Sequence, residues 1–108
     1  MPDFETEKSF QSAVMKLAKQ AGWLRFHPRP SQAPSGRYVT NFDGDKGWPD
    51  LALARNGVVV LAELKTESGK LTDGQKEWIE ASGGLIRVWR PSDWNEITET
   101  LTGQATLS

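Results

Sequence analysis

An α/β fold, with a mixed central sheet flanked by helices on both faces, is what this 108-residue sequence predicts. Three observations lead there. Asn56-Gly57 stands between two apolar runs, Leu51 to Arg55 and Val58 to Lys65. Both residues of that step tolerate positive φ, so the runs are expected to pair antiparallel across a two-residue turn. Segments with helical spacing of apolar residues lie before and after this hairpin. The hairpin itself is apolar on both sides, with Leu51, Leu53, Val58 and Val60 on one and Ala52, Ala54, Val59 and Leu61 on the other, which implies cover on both faces.

The elements follow in order. Phe10, Val14, Leu17, Ala18 and Ala21 recur at helical spacing and stop at Gly22, giving an amphipathic helix from about Glu5 to Ala21. Trp23 to Pro28 alternates large and polar residues and ends at a proline, as a strand with Arg25 and His27 on one face does. From Arg29 to Gly47 the chain is rich in Pro, Ser and Gly and reads as a long loop, with a short extended piece at Arg37 to Phe42. The hairpin comes next, then a polar turn from Thr66 to Lys70. Thr72 with Gln75 forms a capping box that opens a helix through about Ser82, ended by Gly83-Gly84. Leu85 to Trp89 is a further strand. Pro91-Ser92-Asp93 starts a last helix carrying Trp94, Ile97 and Leu101. The five tryptophans lie in or beside regular elements and read as core and interface residues.

At this length one domain, residues 1–108, is expected, with no linker or repeat. No apolar run approaches a membrane span. Met1-Pro2-Asp3 lacks the start of a signal peptide, so a cytoplasmic location is expected. Zero cysteines exclude a disulfide framework and thiolate-bound zinc, and a single histidine argues against a His-rich metal site. The net charge is -1, but the charges are segregated. No acidic residue falls between Lys8 and Phe42, where Lys8, Lys16, Lys19, Arg25, Arg29 and Arg37 all lie, whereas the stretch from Ser92 onward holds Asp93, Glu96 and Glu99 and no base. A basic segment of this kind suits phosphate, and a loop with Arg29, Arg37 and Tyr38 suits phosphate or base contact.

The hairpin also carries the chemistry. With Asn56 and Gly57 as the loop, counting outward pairs Arg55 with Val58, Leu53 with Val60, Leu51 with Ala62 and Asp50 with Glu63. Alternation then puts Glu63 and Lys65 on the same face as Asp50. Two carboxylates facing each other at about 5 Å raise each other's pKa, so a cation is expected between them. A hard divalent ion such as Mg²⁺ or Mn²⁺ takes one or two carboxylates and keeps several waters. Lys65 is placed to hold or activate an attacking water. The alternative is a structural cluster in which Lys65 neutralises one carboxylate. Glu7 lies on the inward side of the first helix, where a first-turn carboxylate is already favourable for the helix dipole, and Glu5 competes with it.

These motifs, together with Phe10 and Gln11 beside Glu7, His27 and Arg29 after the first strand, Gly47-Trp48-Pro49-Asp50, Ala62-Glu63-Leu64-Lys65, Leu71-Thr72 with Gln75, and Val88-Trp89-Arg90-Pro91-Ser92-Asp93, cover nearly the whole chain. In them the chain resembles the PD-(D/E)xK nuclease superfamily, and within it the small stand-alone phage and prophage members of the VRR-NUC (virus-type replication-repair nuclease) family. The resemblance implies a restriction-endonuclease-like αβββαβ core and a Mg²⁺- or Mn²⁺-dependent endonuclease acting on DNA. Branched or Holliday-junction DNA is the implied substrate, and a homodimer the implied assembly. It implies Asp50 and Glu63 as metal ligands, the Leu64 carbonyl beside them, and Glu7 acting directly or through water. Lys65 would orient or deprotonate the nucleophilic water, and Gln75 gains a site role beside its capping role. His27 and Arg29 would line the substrate side, with Arg37 and Lys70 as further DNA contacts. Trp48 departs from the usual small or apolar residue before the Pro-Asp and is placed to shape the entrance. Competing readings are a non-catalytic DNA-binding or scaffold module, a flap nuclease acting as a monomer, and a sequence-reading restriction enzyme, for which the chain leaves little room.

Overall fold

A computed structural model describes residues 4, 6–28, 31–32, 38–39 and 43–103. Three helices and a four-stranded mixed sheet make up the body of the protein. Helix α1 (Glu7–Gln20) begins two residues later than its periodicity suggests, because Thr6 caps it. The Thr6 hydroxyl accepts from the Ser9 amide at 3.0 Å, and the Ser9 hydroxyl accepts from the Thr6 amide at 3.2 Å, so two amides left over at the helix start are satisfied. Phe10, Val14 and Ala18 form its buried stripe. Strand β1 (Leu24–Phe26) is shorter than expected. Trp23 before it is drawn into the core, where its indole N–H donates to the Leu101 carbonyl at 2.8 Å.

The stretch read as a long loop contains a small paired element, β2 (Ser31–Gln32) with β3 (Tyr38–Val39), antiparallel and separate from the main sheet. Strands β4 (Leu51–Arg55) and β5 (Val58–Leu64) form the hairpin. Its register is the counted one, with Leu51 opposite Ala62, Leu53 opposite Val60 and Arg55 opposite Val58. Asn56 at φ 47° and Gly57 at φ 81° both adopt the left-handed backbone that a primed two-residue turn requires. Helix α2 (Asp73–Ala81) then carries the chain across to β6 (Ile86–Trp89), which runs parallel to β5 as only a crossover connection permits. A 3-10 turn (Pro91–Asp93) leads into α3 (Trp94–Thr102). The sheet order is β1-β4-β5-β6.

The core lies on one face of this sheet. Leu51, Leu53, Val60, Ala62, Leu64 and Trp89 point toward α1 and α3 and pack against Phe10, Val14, Ala18, Ile97 and Leu101. Each large aliphatic residue fully buried there contributes roughly 1.5–3 kcal/mol. The second face differs from expectation. Helix α2 does lie on it, but it packs beside β6 and leaves the β1–β4 side open, with Leu24 77 %, Phe26 60 % and Val59 69 % exposed. The hairpin is therefore covered on one face except near the turn, where Val58 is 52 % exposed, and on the other only at its charged end. Ala52, Ala54 and Val59 are apolar without being deeply buried, which the alternation of residue types does not distinguish. Among the described residues, no helix is long and apolar enough to cross a membrane.

Because the turn needs positive φ at both residues, Gly57→Ala is expected to destabilise the protein by about 1–2 kcal/mol. Urea unfolding followed by circular dichroism should show a lower midpoint with an unchanged slope.

Candidate active site

The charged end of the hairpin is built by alternation. In β5, Ala62 and Leu64 point into the core, so Glu63 between them points to the other face, where α2 meets it. Glu63 is only 2 % exposed. Asp50 stands one residue before β4 and is half-buried. One of its oxygens, Oδ2, accepts from the Leu64 amide at 3.0 Å, which ties the start of β4 to the end of β5. Its carboxyl is also in hydrogen-bonding contact with that of Glu63. Lys65 follows, its amide donating to the Trp89 carbonyl at 3.0 Å, and its charge acts on Glu63.

Gln75 serves two ends at once. Its Oε1 accepts from the Thr72 amide at 2.9 Å, and its own amide donates to the Thr72 hydroxyl at 3.2 Å, closing the capping box. Its Nε2 donates to Glu63 Oε1 at 2.9 Å. The cap thus fixes the rotamer that holds the buried carboxyl. On the other side, His27 Nδ1 lies 2.6 Å from the Asp50 carbonyl. A carbonyl oxygen only accepts, so Nδ1 carries the hydrogen and the other ring nitrogen is left for another partner.

Burial is the main cause that pushes the Glu63 carboxyl up to about 9 from its usual 4.5, followed by the hydrogen bond and charge of Asp50. Lys65 and a hydrogen bond from the Asp50 backbone act in the opposite direction and are outweighed. On its own, the pair holds a proton that two exposed carboxylates would have lost at neutral pH. The site is short of positive charge. Two hard oxygen donors in contact, one of them buried, form a donor pair that suits a divalent cation of the Mg²⁺ or Mn²⁺ kind. Among the described residues, no group of three or more His, Asp or Glu side chains converges as a metal cage. Glu7 is exposed in the first turn of α1 and is not brought into such a group.

Asp50, Glu63, Lys65, Gln75 and His27 are therefore brought together. Lys70 is exposed in the turn that follows Lys65. Arg29 and Arg37 lie outside the described residues, as does Glu5. Sequence reasoning missed what holds the two halves of the site in place. Gly47, at φ 108°, lies against the first turn of α2, and a Cβ there would meet the Gly74 carbonyl carbon at 2.3 Å and the Gln75 amide nitrogen at 2.6 Å. A Cβ on Gly74 would meet the Lys46 carbonyl oxygen at 2.7 Å. Trp48 packs edge-on against Trp78 at 5.1 Å, and the Trp78 indole N–H donates to the Asp45 carbonyl at 3.3 Å. The loop leading to Asp50 is thus clamped to the helix that supplies Gln75. A signal was present in the sequence, since glycine is a poor choice inside a first helical turn unless something approaches closely. Arg90 was missed as well. Its guanidinium donates to the Thr66 and Gly69 carbonyls, fixing the turn behind Lys65, while Glu67 accepts from the Ser92 amide and hydroxyl.

Two outcomes follow from this geometry. In the folded chain the Glu63 pKa is raised, so the native state binds more protons than the unfolded chain between about 4.5 and 9. The stabilisation this gives is fully present below about 4.5 and is lost as pH rises toward 9. Metal-free protein should accordingly lose thermal stability across that window, and Glu63→Gln should flatten the dependence. Gly47→Ala should destabilise the fold by about 3 kcal/mol, from overpacking against backbone and an unfavourable φ, measured as a shift in urea midpoint. Compared with protein-family models, with curated proteins and with solved structures, the chain matches none.

Proposed function

We propose that the protein is a divalent-metal-dependent DNA endonuclease with the PD-(D/E)xK core, of the VRR-NUC kind, acting in the cytoplasm. The observation that carries this reading is the buried Glu63 carboxyl held against Asp50, with Lys65 acting on it and Gln75 fixing it. Strand pairing, crossover helix and mixed sheet are compatible with the αβββαβ core that the sequence resembles. Asp50, Glu63 and the Leu64 carbonyl would hold the cation; a role for Glu7 through water rests on the resemblance alone, since Glu7 is exposed in the first turn of α1. When bound, such an ion lowers the pKa of its water and offsets charge on the phosphate oxygens.

The chain's own residues do the rest. Gln75 keeps Glu63 in the one rotamer that faces Asp50. Lys65 orients the attacking water and stabilises the charge that develops on the phosphate as its P–O bond breaks. His27, anchored through Nδ1, turns its other nitrogen toward the substrate side, with Arg29, Arg37 and Lys70 as further DNA contacts. Branched or Holliday-junction DNA is the proposed substrate, as the resemblance implies. A homodimer is the proposed assembly, and the open face with Leu24, Phe26 and Val59 is the surface a second copy would cover. Among the described residues no third carboxyl joins Asp50 and Glu63, and that observation favours a second reading, a non-catalytic DNA-binding module on the same fold.

The two readings separate on labelled duplex, flap and four-way-junction DNA incubated with the protein in Mg²⁺ or Mn²⁺. Cleavage is expected, with Asp50→Asn and Lys65→Ala each lowering its rate by about a hundredfold or more. Undiminished cleavage by Asp50→Asn overturns the site assignment. A mobility shift without cleavage favours the binding module.

A further inference from the structure

A groove of about 670 Å³ runs between α1 and β1, outside the carboxylate site. Lys8, Lys16 and Lys19 line it from the helix, and Arg25 and His27 from the strand side. Among the described residues, no acidic side chain lines it. The exposed face of a helix needs polar residues, but ordinarily it mixes signs, because a Lys three or four residues from another Lys is repelled by it. Lys16 and Lys19 stand in that relation, and after Glu7 the helix holds no acid to relieve them. Arg25 is held toward the helix by a bond from its guanidinium to the Met15 carbonyl at 3.3 Å, which leaves most of its five donors for another partner. In a chain whose net charge is -1, four fixed positive charges along one groove are a local field that attracts anions.

The groove is also aimed. His27, the residue after β1, both lines the groove and bonds the Asp50 carbonyl. The charged wall and the carboxylate site therefore share a residue. From Lys8 to Lys19 the helix is roughly 16 Å long, which matches about five nucleotides of a duplex strand at 3.4 Å each. Among the described residues no Phe, Tyr or Trp ring lines the groove, and its charged side chains offer donors to phosphate.

We propose that this groove seats the phosphate backbone of one DNA strand, independent of sequence, and leads that strand to the Asp50–Glu63 end of the hairpin. The nuclease reading supplies the choice of polymer, and the binding itself needs no metal. The test uses the full chain and fluorescein-labelled duplex and flap DNA in EDTA, with anisotropy read over a range of salt. Lys16→Gln/Lys19→Gln should weaken binding about tenfold or more at 0.1 M salt and lower the log-log salt slope by roughly 1.5–2. Arg87→Gln, which removes one charge from β6 at the opposite edge of the sheet, should change affinity by less than about twofold, and equal thermal melting of the variants confirms that each is folded. Unchanged affinity and slope in the lysine variant overturn the proposal, as does an equal loss in Arg87→Gln, or anionic vesicles binding through these lysines where DNA does not. Groove-dependent binding with no cleavage in Mg²⁺ or Mn²⁺ sustains the groove and removes the nuclease reading. Cleavage with normal KM in the lysine variant does the reverse.

Discussion

The structure turns on one buried acid. Glu63 is the last residue but one of a seven-residue strand and stands between two core residues, Ala62 and Leu64, so its side chain points to the face where α2 lies. Taking a carboxyl out of water is unfavourable unless it is neutral, hydrogen-bonded or paired. Here it is held by Gln75 on one side and set against Asp50 on the other. The hairpin register brings Asp50 to that place, and the capping box of α2 sets Gln75 at the right height. Both the turn at Asn56-Gly57 and the first turn of α2 thereby act on the same carboxyl.

That dependence explains why the surroundings of the site are so closely fitted. Gly47 against Gly74, Trp48 against Trp78, and the Trp78 bond to Asp45 lock the loop before Asp50 onto α2. Arg90 and Glu67 fix the turn after Lys65 to the start of the last helical segment. Helix α2 buries no residue of its own completely. Its place is set by these contacts at its first turn and by the crossover to β6, more than by a hydrophobic stripe. Among the described residues the opposite side of the same sheet face has no such cover, and Leu24, Phe26 and Val59 are exposed there.

Much of this was legible in the sequence where local chemistry is decisive. A two-residue turn with Asn-Gly and a strict period of two fix a register without any knowledge of the rest, and from the register the meeting of Asp50 with Glu63 follows. The capping box of Thr72 with Gln75 was equally plain, though its second hydrogen bond, to Glu63, was not, because it depends on how α2 crosses the sheet. The close approach of Gly47 to Gly74 joins segments far apart in sequence, and only the glycine in a first helical turn hinted at it. The open β1–β4 face was misjudged because an apolar residue is not thereby a buried one. In the segment read as a long loop, the short extended piece expected at Arg37 to Phe42 includes β3, whereas its pairing with Ser31–Gln32 carried no signal in the composition. For Glu7, helical phase gave a side of the helix but not a distance, and the structure leaves it exposed.

The central claim is that the Asp50–Glu63 pair is protonated for want of a positive charge and is therefore poised to exchange that proton for a cation. Calorimetric titration of the protein with Mn²⁺ at neutral pH, in buffers of different ionisation enthalpy, measures this directly. The account predicts one binding event that releases about one proton, and a release that disappears in Glu63→Gln. Binding without proton release, or the same release from the Glu63→Gln protein, would contradict it.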